Sequence, residues 1–178
     1  MLPTYKTLSF SLRPARADDS AKLAALALQV WLHTYAAKGI SDAIANYVHS
    51  ELTPAKFAQL LNEAHLVVAE QDGNLLGYAA IKIGRPWENY AASTVELATL
   101  YVQAHYTGKN IGTQLLQYAS AWAQQQHQQP LWLMVNAQNE NAIRFYHKHG
   151  YTKIGTHYFK LEDGEYENHV LLGPDEKP

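Results

Sequence analysis

Gly108 and Gly112 stand four residues apart, with Lys109 and Asn110 between them, where one periodicity gives way to another. Upstream, Leu100-Tyr101-Val102 is an apolar, β-prone run that reads as the end of a strand. Downstream, Ile111, Leu115, Leu116, Ala119, Trp122 and Ala123 recur at roughly 3.6-residue spacing and mark the inner stripe of a helix. A strand, a polar glycine-containing turn and a helix start together make a cradle for an anion. Free backbone N–H groups point outward there, with the positive end of the helix dipole behind them. Lys109 adds a charge. The chemistry served would be phosphate binding, but not in two familiar forms. No Lys-Ser/Thr pair follows the second glycine, as a nucleotide-binding P-loop needs, and the dinucleotide pattern G-x-G-x-x-G is absent. The glycines alone leave a second reading open, a turn that only shapes the passage from strand to helix.

Asn139, Ala142 and Tyr146 form the second constellation. Offsets of three and seven put all three on one face of a helix. Taken alone, Asn139 is a candidate helix cap and Tyr146 a candidate core aromatic.

The two stretches resemble motifs A and B of the GNAT superfamily of N-acetyltransferases. In motif A a strand runs into [Q/R]-x-x-G-x-[G/A] and a helix that holds the pyrophosphate of acetyl-CoA. The matching positions here are Thr107, Gly108, Lys109, Asn110, Ile111 and Gly112. Thr107 stands where Gln or Arg is usual, and Asn110 where Gly is usual. Asn is the residue after glycine that best tolerates a left-handed conformation. Motif B, N-x-x-A-x-x-x-Y followed by a basic residue and G-[F/Y], matches Asn139, Ala142 and Tyr146 with Lys148-His149-Gly150-Tyr151.

That resemblance implies transfer of the acetyl group of acetyl-CoA to a primary amine, by direct attack through a tetrahedral intermediate. It implies a cofactor-binding set of Leu100, Tyr101, Val102, Thr107, Gly108, Lys109, Asn110, Ile111, Gly112, Thr113, Asn139 and Ala142. Asn139 would contact the pantetheine arm, and Tyr146 would protonate the departing thiolate. Where two parallel strands splay apart, an N–H near Tyr101 or Val102 could hydrogen-bond the thioester oxygen. An amine is protonated at neutral pH, so a base is needed. Glu96, six residues before Val102, is the candidate, set against the plain alternative of a solvated strand carboxylate. Alternation puts Glu96 on the face of Ala98 and Leu100 unless a bulge intervenes. Trp31 and Tyr35, with His33 and Tyr90, are candidates to line the amine pocket. LYVQAHYTGKNIG, LWLMV, NAIRFYHKHGY and THYFKLEDGEYENHVLL look most like the diamine/polyamine branch. Acetylation of a protein N-terminus and an acyl-CoA-binding regulatory module stay as alternatives.

Composition narrows the classes. The net charge is −2 with His neutral, so the basic excess needed for nucleic acid is missing. Cysteine is absent, which excludes disulfides, thiolate metal sites and a Cys nucleophile. His147 and His149 are two apart on a helix and face different ways, so no metal set is expected. No run of about 18 apolar residues exists and the N-terminus carries no signal pattern, so a cytoplasmic protein that avoids membranes is expected. A homodimer is left open.

The elements that must position these residues follow from pattern. Phe10–Pro14 reads as a strand, and a helix runs from Ala15 toward Gly39 with Asp18 and Asp19 in its first turn. Ser41 and Thr53-Pro54 cap two further helices. Leu66–Glu70 and Leu75–Ile83 flank the hairpin signal Asp72-Gly73. Thr94–Val102 is the central strand, and Leu131–Val135 a strand apolar at every position, expected to run parallel to its neighbour. Asn139–His149 is a helix, and Tyr151–Lys160 and Tyr166–Leu172 an antiparallel pair. The expected class is α/β, a GNAT-like mixed, mostly antiparallel sheet with a splayed parallel strand pair and flanking helices. Residues 1–172 are expected to form one domain, with 173–178 a loose tail.

Overall fold

The structure, a computed structural model, describes residues 9–84, 86–88, 92–161 and 164–175. Its strands are β1 (Ser11–Pro14), β2 (His65–Gln71), β3 (Asn74–Ile83), β4 (Val95–Val102), β5 (Trp132–Asn136), β6 (Thr152–Leu161) and β7 (Gly164–Leu172). The helices are α1 (Ser20–Tyr35), α2 (Asp42–Glu51), α3 (Pro54–Glu63), α4 (Ile111–His127) and α5 (Glu140–Lys148). One sheet runs β1-β2-β3-β4-β5-β7-β6, antiparallel throughout except where β4 meets β5 in parallel. This is the mixed, mostly antiparallel sheet that the sequence predicts.

Local chemistry explains the boundaries. Ser41 Oγ accepts from the Ile44 amide at 3.2 Å, and Thr53 Oγ1 from that of Lys56 at 3.3 Å, so both predicted caps hold. Asp72 and Gly73 turn β2 into β3 with φ of 51° and 79°, the left-handed pair that a two-residue hairpin requires. Alternation, interrupted by a register shift where Ala69 pairs with Gly77 and Glu70 with Leu75, then divides the sheet. Val67, Ala69, Leu76, Ala79 and Ile81 pack under α4, while Leu66, Val68, Leu75, Tyr78 and Ala80 pack under α1 and α3.

Two features decide where the site lies. The first is a bulge in β4. Ala80 pairs with Thr99 but Ile81 with Leu97, so Ala98 is an extra residue. Val95 and Leu97 face α4 before it, and Leu100 and Val102 face α4 after it. The second is the parting of β4 and β5, which share a single register pair, Glu96 with Trp132. Beyond it β5 bonds β7 on its other edge, from Leu133–Leu171 to Asn136–Asn168.

The start of α1 differs from expectation. A 3-10 turn, Ala17–Asp19, precedes it, and Asp19 is 1% exposed. Asp19 accepts from the Arg16 amide at 2.9 Å and pairs with Arg13 at 2.7 Å and Lys22 at 3.2 Å. Arg13 also pairs with Glu70, so one guanidinium ties β1, β2 and the head of α1 together. The Arg13 hydrogen bond holds the Asp19 carboxyl well below the usual carboxylate range, against the opposing pull of burial. A depressed folded pKa gives stability that is present above the unfolded value of about 3.9 and lost as pH falls below it. Asp19→Ala should therefore cost about 1.5–3 kcal/mol at neutral pH, since Arg13 keeps Glu70 but loses its charged hydrogen bonds to Asp19. Urea melts at pH 7 and pH 3 check this: the difference between wild type and variant should shrink at the lower pH, and a constant difference would contradict it.

Candidate active site

A cleft of about 620 Å³ opens where β4 and β5 part. Its walls are Glu96 to Tyr101 of β4, Met134, Val135 and Asn136 of β5, Asn139, Ala142 and Tyr146 of the α5 segment, and rings from α1, α2 and β6. Among the residues singled out from sequence, Trp31, Tyr35, Glu96, Leu100, Tyr101, Asn139, Ala142 and Tyr146 meet in this lining. Exposed His33 lies outside the lining, and Tyr90 lies outside the described residues.

The bulge corrects the expected direction of Glu96. Because Ala98 is extra, Glu96 shares its face with Thr99 and Tyr101, toward α1 and α3, and not with Leu100. The backbone of β4 can be oriented too. Gln103 N–H donates to the Leu76 carbonyl on β3 at 2.9 Å, and a Cβ on Gly77 of β3 would meet the Tyr101 carbonyl oxygen at 2.7 Å. Antiparallel alternation then turns the N–H and C=O groups of Leu100 and Val102 away from β3, toward the gap before β5. Of Tyr101 and Val102, it is Val102 whose amide faces the gap. Tyr101 contributes its ring, and burial raises its hydroxyl well above the usual tyrosine range.

The anion cradle stands beside this lining at the head of α4. Asn110 caps that helix with φ 65° and ψ 5°, the left-handed conformation that Asn tolerates where glycine is usual in motif A. Gly108 is also left-handed, with φ 73°. The first bond of the helix runs from Gln114 N to Asn110 O at 3.1 Å, so the amides of Ile111, Gly112 and Thr113 precede it. Thr107, Gly108, Lys109 and Asn110 are exposed. Ile111 is only 1% exposed, so it offers a ligand nothing but its backbone. Thr107 Oγ1 donates to the Ala104 carbonyl at 2.9 Å, which commits its proton within the turn, and Lys109 Nζ rests 4.9 Å from the Tyr106 ring centroid. A Cβ on Gly112 would meet Phe145 and Val102 at ordinary distances of 3.6 and 3.7 Å, so the protein's own packing does not demand glycine there.

On α5, Asn139 is the cap that the sequence allows: its Oδ1 accepts from the Ala142 amide at 3.1 Å. Tyr146 is 8% exposed and lies against Tyr151 and Phe145, at ring centroids of 5.6 and 5.2 Å. Burial, with Tyr151 and Tyr101 adding to it, pushes its hydroxyl well above the ordinary tyrosine range, so the group stays protonated. Sequence reasoning missed Asn136, Tyr47 and Phe159. The side chain of Asn136 hydrogen-bonds Tyr35 of α1 while its Oδ1 takes the Gln138 amide at 2.8 Å, joining the two halves of the cleft. Its one sequence signal is a polar residue closing an otherwise apolar strand. Among the described residues no group of three His, Asp or Glu is set to hold a metal, and no helix is long and apolar enough to cross a membrane.

Comparison with known proteins agrees with this geometry. The acetyltransferase (GNAT) family matches residues 30–151. An uncharacterised N-acetyltransferase of Mycobacterium bovis is 30% identical over 156 residues, which cover 86% of this chain and 96% of the relative. Among solved structures, PaiA N-acetyltransferase from Thermoplasma acidophilum, in complex with coenzyme A, superposes with a TM-score of 0.69 at 22% identity, over 91% of this chain and 98% of that one. An N-acetyltransferase from Staphylococcus aureus superposes with a TM-score of 0.68 at 23% identity, over 96% and 100%.

The left-handed cap gives a direct test. Asn110→Gly should leave stability nearly unchanged, whereas Asn110→Val should cost about 1–2 kcal/mol by forcing a β-branched residue into that region. Denaturant unfolding measures both. Equal stability of the two variants would mean that the turn does not depend on the left-handed residue.

Proposed function

The chain belongs to the acetyltransferase (GNAT) family of acetyl-CoA-dependent N-acetyltransferases, and from that premise we propose that its acceptor is the primary amine of a small diamine or polyamine. The observation that carries the reading is one cleft, open between β4 and β5, lined by both Glu96 and Tyr146. Acetyl-CoA supplies the acetyl group as a thioester. The amides of Ile111, Gly112 and Thr113, with Lys109 nearby, receive the pyrophosphate. Leu100, Val102, Asn139 and Ala142 flank the pantetheine arm, the strand through its outward-turned backbone groups.

Glu96 accepts the proton that the acceptor ammonium must lose before its nitrogen can attack. The Val102 amide donates to the thioester oxygen as charge grows there, worth ~3 kcal/mol by analogy with other oxyanion donors. The Tyr146 hydroxyl, kept protonated by burial, gives its proton to the departing sulfur. One C–N bond forms and one C–S bond breaks. Nitrogen loses two protons: the ammonium proton passes through Glu96 to solvent, and the second, lost as the tetrahedral intermediate collapses, replaces the one that Tyr146 gives to sulfur. The aromatic and carboxylate lining of the acceptor half, with the motif segments of the diamine/polyamine kind, supports the substrate class.

Coenzyme A should stabilise the fold. For a Kd near ~10 μM, about 1 mM ligand adds ~2.7 kcal/mol, on the order of 5–10 °C in Tm for a chain of this size. A thermal shift with CoA, run against NAD and ATP, tests this, and an equal shift with ATP would remove the central claim. Turnover of a panel of diamines, monoamines and peptide N-termini then identifies the acceptor.

Two variants divide the chemistry. Tyr146→Phe should lower kcat and kcat/KM together by ~10²–10⁴, with CoA affinity within a few-fold. Glu96→Gln should depress turnover most at low pH, where the amine most needs a base. Unchanged kcat in the first variant would demote Tyr146 to packing, and an unchanged pH–rate profile in the second would move the base elsewhere.

A further inference from the structure

The acceptor half of the cleft is walled by aromatic rings from α1, α2 and β6. Trp31 of α1, 4% exposed, is in contact with two rings: Tyr47 of α2 stacks on it at 4.6 Å and 17°, and Tyr35 tilts against it at 4.6 Å and 31°. In front of this pair stands Phe159 of β6, 6.1 Å from Tyr47 at 86° and 6.4 Å from Tyr35 at 50°. Tyr166 of β7 meets Tyr35 edge-on at 5.7 Å and 85°. Tyr35, Tyr47 and Phe159 are half-buried and line the cleft.

The geometry discriminates between occupants. A planar aryl group is held between parallel rings separated by a gap, but the near-parallel pair here is already in contact. Phe159 stands nearly perpendicular to Tyr47, at 86°, and oblique to Tyr35, at 50°, which makes a corner of π faces and edges suited to a compact cation. The charges agree. Glu51 is one helical turn beyond Tyr47 on the same side of α2, and Glu51, Glu63 and Glu96 line the cleft against Lys56 and Lys82. Lys56 lies 3.4 Å from Glu51, and Lys82 faces Glu96 across the β3–β4 ladder, so each cation in the lining has a carboxylate beside it. Glu63 takes a hydrogen bond at 2.7 Å from the neutral amide of Gln59. An anionic group on the acceptor would be repelled.

We propose that the corner formed by Tyr35, Tyr47 and Phe159, flanked by Glu51, is a subsite for a second cationic centre of the acceptor, held while the first amine reaches Glu96. The inference rests on the amine-acetyltransferase reading and adds to it a specificity element. Selection would come from chain length, since the linker must span from the corner to the reacting amine. It would also come from charge at the far end.

The test separates binding from turnover. An α,ω-diaminoalkane series of three to eight methylenes and the matched n-alkylamines are titrated calorimetrically into CoA-saturated protein. The best diamine should bind about 10-fold more tightly than its monoamine, the range of a cation–π contact in a partly desolvated site. Tyr47→Leu and Phe159→Leu should each erase most of that difference, with the CoA-induced rise in Tm reporting that both variants fold. Equal affinity for diamine and monoamine overturns the subsite, as does a diamine preference that survives both substitutions. Tighter binding of 2-phenylethylamine than of any diamine overturns it too, in favour of an aryl site. Diamine binding that depends on the corner but is never followed by acetylation leaves the subsite standing and removes the proposed reaction.

Discussion

The divergence of β4 from β5 is the constraint on which this molecule is organised. A strand in the middle of a sheet ordinarily satisfies its backbone on both edges. β4 is bonded along one edge to β3, and its other edge leaves β5 after Glu96 and Trp132. The amides and carbonyls of Leu100 and Val102 are turned toward the gap. Buried polar groups are costly without partners. The same geometry that would destabilise an ordinary sheet leaves backbone donors and acceptors turned toward an open cleft. On the closed edge, Gly77 lets β3 come within reach of the Tyr101 carbonyl, where any side chain would intrude.

The Ala98 bulge divides the two faces of this strand. Without it, strict alternation would keep Glu96 on the face of Leu100, under α4. With one extra residue, Leu100 and Val102 remain with α4 while Glu96, Thr99 and Tyr101 look toward α1 and α3. A single strand thus offers backbone groups to one half of the cleft and a carboxylate to the other. Asn136 links the halves physically, since it ends β5, steadies the turn into α5 and hydrogen-bonds Tyr35 on α1. The acceptor wall depends in turn on α1 being held in place, which is the work of Asp19 and Arg13 at its head.

The head of α4 and the lining of the cleft differ in electrostatic character. The head of α4 presents outward amides with Lys109 in an exposed, left-handed turn. The opposite wall is aromatic and carboxylate-rich, with its lysines beside carboxylates. Tyr146 lines the cleft among other rings, protonated because burial disfavours its charged form.

Much of this was legible from residues alone because the signals are local. Ser41, Thr53-Pro54, Asp72-Gly73 and Asn139 act within a few residues of themselves, and each does in the structure what its chemistry predicts. The order of elements, the mixed sheet, the turn at the head of α4 and the meeting of Asn139, Ala142 and Tyr146 on one face follow from periodicity and short spacing. The tertiary structure decided what depends on distant partners. Which face Glu96 occupies turned on one extra residue in a ladder, invisible in a run such as VELATLYV, where no glycine or proline marks an irregularity. The choice of Val102 over Tyr101 turned on which edge of β4 bonds β3. The aromatic corner brings Phe159 to Tyr35 and Tyr47, more than a hundred residues away in sequence, and among twelve tyrosines nothing local distinguishes those that line a cleft from those that fill a core. Sequence determines how a segment of chain folds on itself, while side chains meet across a cleft only through the packing of whole elements.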